Sequence, residues 1–496
     1  MNEQSARMEK PFLINGQWRR NTSGQVFESI NPADGSVAAV IAQSSEHDVD
    51  DAVQSARAAL QAPAWGGLYP HQRAVLLRNL GDLVEANGHL LAAMQTDDNG
   101  KTLLESQAQI AWAADMFRYY AGVCETAESS VIPARGNYFS MSVYEPIGVV
   151  AAITPWNSPI SLEAQKLAPS LAAGNTVVLK SSEITPQVGL EYGRLALEAG
   201  FPPGVLNVVT GDAAVGKALV SHPQIDMVTF TGGVAGGRAV AKAAADRLVP
   251  ALPELGGKSP NIVFEDADIE QAVTGAIYGI FSNAGQSCIA GSRIFVQESI
   301  YDLFAQRLAT QAGALVVGDP QHQATAVAPV SSFQHRDRIY EMVAGAIAAG
   351  SQALVGGHRL EGEPFSKGAY VAPTVLAVPS NTAHIAQEEI FGPVACLLKF
   401  KDEDDLVAQA NDTVFGLACG IWTENYRRAL RVASRIKAGM VWVNTYKLAP
   451  VNMPFGGYKA SGIGRECGLE GLRPYRQQKS IYMNMAETTL PWPPKA

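Results

Sequence analysis

The sequence predicts an α/β protein: a doubly wound parallel sheet in the first half and a second α/β series behind it. Three observations carry this prediction. Apolar runs without alternation recur at Ile147 to Ile153, Thr176 to Leu179, Leu206 to Val209 and Met227 to Phe230. Between them lie stretches whose apolar residues repeat at three and four, and strands buried on both faces and joined by helices give that signature. The chain has 496 residues, more than one hydrophobic core usually holds, so two or three domains are expected.

The elements follow in order. Leu13-Ile14-Asn15-Gly16-Gln17-Trp18 sets Asn-Gly between apolar flanks, a hairpin signal, and Asn31-Pro32-Ala33-Asp34-Gly35 marks another turn. The start therefore reads as a small antiparallel edge. Amphipathic helices are predicted from Asp48 to Leu60, Pro70 to Ala86 and Leu103 to Ala127. After a short alternating stretch at Ser140 to Tyr144, the apolar strands alternate with helices at Leu162 to Ala172, Val188 to Ala199 and Ala214 to Ser221. Pro250 to Pro260 is dense in Pro and Gly, which sets the domain change there. The second series runs through Asn261 to Phe264, Ile294 to Val296, Tyr370 to Leu376, Val394 to Phe400 and Met440 to Val443. Lys479 to Met485 reads as a strand outside either sheet, needing a partner edge that another subunit could supply, and a Pro-rich end at Pro491 to Pro494 follows.

Composition narrows the classes of function. A formal net charge of -9 argues against nucleic-acid and anionic-membrane partners, which select basic surfaces. The five cysteines, Cys124, Cys288, Cys396, Cys419 and Cys467, are scattered without metal-ligand spacing, so a reducing compartment and no metal are expected. Met1 to Lys10 is polar, and no run approaches the roughly 18 apolar residues of a membrane span. The reading is a cytoplasmic protein acting on small molecules.

Several residues carry chemistry. A thiolate is the best side-chain nucleophile for a carbonyl carbon, and a carboxylate can activate water to release a thioester. Cys288 in Gly285-Gln286-Ser287-Cys288 and Glu254 in Glu254-Leu255-Gly256-Gly257-Lys258 offer that pair. Asn157 follows the Ile147 to Ile153 strand, where its amide could donate to a developing oxyanion or simply turn the chain between two prolines. Lys180 and Glu183 follow the next strand, as a ribose-binding pair or a solvated one. Phe230-Thr231-Gly232-Gly233 opens a helix where backbone could reach a pyrophosphate, though a tight turn explains it equally well.

Read together, these segments with Pro155-Trp156-Asn157, Glu388-Glu389-Ile390-Phe391-Gly392-Pro393 and Pro454-Phe455-Gly456-Gly457-Tyr458-Lys459 resemble the NAD(P)-dependent aldehyde dehydrogenase superfamily, in family order, from about Leu13 to Met485. The resemblance implies an NAD-binding domain at 1–127 and 146–256, a catalytic domain at 257–475, and a small β oligomerisation element at 128–145 and 476–496. It implies a homo-oligomer, dimer or tetramer. By the same resemblance Cys288 attacks the aldehyde, Asn157 and the Cys288 N–H hold the oxyanion, and Glu254 activates the hydrolytic water. Glu389 and Lys180 match ribose contacts, Phe391 a nicotinamide-side contact and Glu183 the adenosine ribose, while Ile153, Trp156, Gly211, Phe230, Thr231, Gly232, Gly233 and Leu255 complete the implied cofactor site.

A carboxylate at Glu183 favours NAD over NADP, because it repels the 2'-phosphate. Gly233 departs from the family's usual Gly-Ser pair and removes a hydroxyl from the pyrophosphate site. The implied substrate tunnel comprises Trp112, Ser158, Leu162, Gln165, Ser287, Ile289, Tyr446, Lys447, Ala449 and Phe455. Ser158, Gln165 and Ala449 stand where relatives that take apolar aldehydes are commonly aromatic. Lys447 could meet a carboxylate-bearing semialdehyde or reach to solvent, and a bulky neutral aldehyde is the alternative. Glu254 argues against a coenzyme A-acylating relative, Glu254 with Asn157 against an acyl-phosphate reductase, and Cys288 with Glu254 against a silent binding protein.

Overall fold

The computed structural model describes residues 9–487. The charged start through Met8 and the Pro-rich end at Pro491 to Pro494 lie outside the described residues. Two seven-stranded sheets dominate. The first has the order Ala251–Glu254, Met227–Thr231, Val149–Ile153, Thr176–Lys180, Leu206–Val209, Phe12–Ile14, Gln17–Arg19. Its first five strands are parallel, and the N-terminal hairpin closes the edge antiparallel. Asn15 and Gly16 turn that hairpin with φ of 52° and 68°, the left-handed pair that matches strand twist.

From Val149–Ile153 the chain winds outward through Thr176–Lys180 and Leu206–Val209, then crosses back to place Met227–Thr231 on the other flank. Strand order reverses there, so a crevice opens at the carboxyl ends of Val149–Ile153 and Met227–Thr231, where ligands of open α/β sheets bind. Pro250 to Pro260 is only partly a connector. Ala251–Glu254 is an edge strand of the first sheet, its outer side covered by residues 461–463, and Pro260–Val263 already belongs to the second.

The second sheet has the order Gln352–Val355, Thr374–Ala377, Val394–Phe400, Arg293–Gln297, Pro260–Val263, Ala418–Trp422, Met440–Val443. All pairs are parallel except the Gln352–Val355 edge. Ala418–Trp422 is an interior strand absent from the sequence reading. Its small residues carry no alternation, and a Cβ at Gly420 would stand 2.5 Å from the Tyr446 ring. The predicted strand at Tyr370 to Leu376 begins at Thr374 instead.

The tail strand Arg476–Asn484 pairs antiparallel with Tyr138–Pro146 of the same chain, which also pairs with Ser130–Ile132. One of its edges is therefore paired within the chain, and the other is the outer edge of this three-stranded sheet. Among the described residues no helix is long and apolar enough to cross a membrane.

Candidate active site

Helix Ile269–Phe281 ends just before Cys288, and the link turns sharply through three left-handed residues, Asn283, Ala284 and Gly285, with φ of 55°, 48° and 74°. Two of them are not glycine, so the turn stores strain of about 1 kcal/mol or more at each. Neighbours hold it. The Asn283 N–H donates to the Glu105 carboxylate at 2.6 Å, and its side-chain amide donates to the carbonyls of Asn157 at 3.2 Å and Gln286 at 2.8 Å. Gly285 admits no side chain, because a Cβ would lie 2.0 Å from the Gly392 carbonyl oxygen.

Cys288 emerges half-buried from this turn, whereas Cys124, Cys396, Cys419 and Cys467 are buried. Burial pushes its thiol up to about 12, with Glu389 and Glu254 adding to the rise and the Ile289 N–H and Lys447 opposing it. The resting group is a thiol. The Asn157 amide is anchored beside it, donating to the Gln286 carbonyl at 3.0 Å. Residues distant in sequence thus meet within one loop.

Glu254 ends the Ala251–Glu254 strand, buried, and neither carboxylate oxygen has a hydrogen-bond partner. Burial raises its pKa well above the usual range, and the negative Glu466 adds to the rise while Lys166 and Arg465 oppose it. Gly456 makes room for it, since a Cβ there would stand 2.7 Å from a Glu254 oxygen. Glu466 itself is fully engaged: it pairs with Lys166 Nζ at 2.7 Å, accepts from the Gln165 amide, and accepts from Thr229 Oγ1 at 3.3 Å.

At the crevice of the first sheet, Lys180 ends its strand and pairs with the half-exposed Glu183 at 3.6 Å. Thr231 Oγ1 is buried without a partner, and Gly233 caps helix Val234–Asp246 with open space around it. That helix terminus, with its free amides, fits a pyrophosphate even without a serine hydroxyl. Gly232 is pinned by its N–H to the Glu254 carbonyl at 3.1 Å. Leu255 packs on Gly237, and Gly211, at φ 145°, abuts Val215. Ile153 and Phe230 lie near the carboxyl ends of the paired central strands.

Glu389 accepts the Gly257 N–H at 2.9 Å, and burial raises its pKa to about 7. Phe391, at φ 59°, sets its ring edge-on to Trp156 at 5.2 Å. His335 joins that aromatic group at 5.5 Å from Trp156, a neighbour no local motif announced.

The implied tunnel residues divide. Trp112 Nε1 donates to the Ala449 carbonyl at 2.7 Å, and Phe455 packs against both hydrophobic cores. Ser158, Leu162, Ser287 and Lys447 are partly accessible. Gln165 is buried with its amide committed to Glu466, and Tyr446 is buried with its ring 4.9 Å from Trp442. Ile289 packs into the second core. All three are buried, and of them Gln165 has its amide engaged by another side chain while the Tyr446 hydroxyl has no partner among the described residues. Lys101, Glu105, Gln109, Lys166 and Glu466 were missed, and only Lys101, in the Asn99-Gly100-Lys101-Thr102 run before a helix, had a local signal to find it by.

Comparison with known proteins bears on the family. The family model described as the aldehyde dehydrogenase family matches residues 18–481. An aldehyde dehydrogenase of Davidiella tassiana is 43% identical over 97% of this chain and 97% of its own length. The mitochondrial aldehyde dehydrogenase family 2 member B4 of Arabidopsis thaliana is 42% identical over 95% of this chain and 87% of its own. Betaine aldehyde dehydrogenase of Staphylococcus aureus, solved in complex with NAD+, superposes with a TM-score of 0.96 at 36% identity, covering 98% of this chain and 97% of that one. With motifs, fold and these relatives in agreement, the chain belongs to the aldehyde dehydrogenase family.

Proposed function

We propose that this protein oxidises an aldehyde to the carboxylic acid with NAD, through a thiohemiacetal and a thioester on Cys288. The observation that carries the reading is Glu254: a buried carboxylate with both oxygens free, close enough to Cys288 to raise its thiol. A buried acid without partners is costly unless a reaction uses it.

Cys288 Sγ gives its proton to a solvent water and attacks the carbonyl carbon. The Asn157 amide, released from the Gln286 carbonyl, donates to the oxyanion together with the Cys288 N–H. NAD, when bound, supplies the acceptor for the hydride that leaves as the thioester forms. Glu254, once deprotonated, takes a proton from water, whose oxygen attacks the thioester and frees Cys288 and the acid. Lys180 and Glu183 hold the adenosine ribose, Thr231, Gly232 and Gly233 the pyrophosphate, and Glu389 the second ribose, with Trp156 and Phe391 alongside. Ile153, Gly211, Phe230 and Leu255 line the same site.

In this reading residues 1–127 and 146–256 form the cofactor domain, 257–475 the catalytic domain, and 128–145 with 476–496 the element that joins copies into a dimer or tetramer in the cytoplasm. The substrate is a polar or carboxylate-bearing semialdehyde, entering past Trp112, Ser158, Leu162, Ser287, Lys447, Ala449 and Phe455. The test is NADH formation across a panel of aldehydes, each paired with NADP as the alternative cofactor. Turnover is expected with NAD, and its absence with every aldehyde overturns the reading.

A further inference from the structure

We propose that Lys101 and Lys447 together receive the carboxylate at the far end of the substrate, so that the natural substrate is a monoanionic aldehyde acid. This rests on the reading of Cys288 as the nucleophile and adds a second cation to it. Lys101 is buried, 3% exposed, and its Nζ donates to Ser158 Oγ at 2.7 Å. Lys447 Nζ donates to Ser282 Oγ at 2.6 Å. Neither forms an ion pair among the described residues. An ammonium carries three donors, so each has two left for a ligand.

The serines cannot neutralise them. Ser158 Oγ accepts from Lys101 and from Gln109 and donates to the Asn157 carbonyl, which uses its capacity. Glu105 is the one carboxylate whose charge acts on both lysines. Its oxygens are occupied by the Asn283 N–H at 2.6 Å and the Thr102 hydroxyl at 2.9 Å. With both lysines protonated, two cations against one anion leave a single positive charge, which a carboxylate balances and a phosphate dianion exceeds.

Position supports the same occupant. Ser158 adjoins Asn157, Ser282 begins the turn that presents Cys288, and Lys447 acts on the Cys288 thiol. Lys447 is also held at φ 60°, a left-handed conformation that a lysine adopts only when its surroundings impose it. Burial lowers the pKa of Lys101 to about 7 and of Lys447 to about 8, each lysine also facing Glu105. Lys101 feels Lys447 as well, and Lys447 feels Cys288 and lies over the Tyr278 ring. Burial disfavours the charged form of both lysines, and a carboxylate placed between them restores it.

The test compares a short ω-oxo carboxylic acid with its methyl ester, in wild type, Lys101→Met and Lys447→Met. Wild type is expected to favour the acid, and each substitution to lower the acid-to-ester ratio of kcat/KM about tenfold, through KM. The ratio is taken within one protein, so partial misfolding leaves it unchanged, and Lys447→Arg should recover part of it. Butyrate, a monoanion, should compete with the ester more strongly than inorganic phosphate does. Equal wild-type kcat/KM for acid and ester, a ratio unmoved in both variants, or stronger competition by phosphate overturns the proposal. Failure to oxidise even the ester would instead remove the Cys288 reading on which it rests.

Discussion

Glu254 and Glu466 are both buried carboxylates near one another, yet one has no partner and the other has three. Glu466 is bound by Lys166, Gln165 and Thr229, so its charge is spent holding helix Pro159–Ala172 against strand Met227–Thr231. Glu254 keeps its oxygens free and its pKa high, and gains nothing for the fold. In the proposed mechanism the difference separates a structural acid from a chemical one in the same interior: the first is satisfied by its own chain, the second is left open for the water it activates.

The sharpest break in that comparison is to remove what the open carboxylate serves. Cys288→Ala should lower NADH formation to below about one-thousandth of wild type while NAD binding, read by fluorescence titration, persists. Glu254→Gln should slow steady-state turnover by about a hundredfold or more but leave a burst of about one NADH per site, since an amide cannot take the proton from water. Stopped-flow absorbance checks this, and slow hydride transfer without a burst would move Glu254 to an earlier step. Asn157→Ala, which removes an oxyanion donor, should cost about a hundredfold in kcat.

Glu466 should respond in the other currency. Glu466→Ala leaves Lys166 as a buried, uncompensated cation and should cost about 3–5 kcal/mol of stability, measured by denaturant unfolding. Glu254→Gln should have the opposite sign. An acid whose folded pKa is raised above its unfolded value stabilises nothing: stability is lost as pH rises from about 4, where the unfolded carboxyl ionises, to the raised folded pKa. The Gln variant should therefore gain in Tm relative to wild type as pH rises over that window. The smallest effect is at the exposed end of the cofactor site, where Glu183→Ser should narrow the preference for NAD over NADP severalfold, by about 1 kcal/mol. Wild type that already favours NADP would contradict the assignment of Glu183.

The sequence by itself determined the α/β class, most strands of the first sheet and the positions of Cys288, Glu254 and Asn157. These are legible because each lies in a short run whose turn residues and strand end travel together along the chain. Strand Ala418–Trp422 was not legible, because its small buried residues show neither alternation nor a strong apolar run. Only the tertiary structure decided what the interior side chains meet. Gln165 and Lys166 reach Glu466 across some 300 residues, a pairing that no local run of sequence announces. The tail strand likewise found Tyr138–Pro146 of its own chain. Lys101 came beside Ser158 and Lys447 beside Ser282 only through packing of a helix start, a strand end and two loops. Burial and partner choice are properties of three-dimensional neighbours, and whether a charge is satisfied or open is fixed at that level alone.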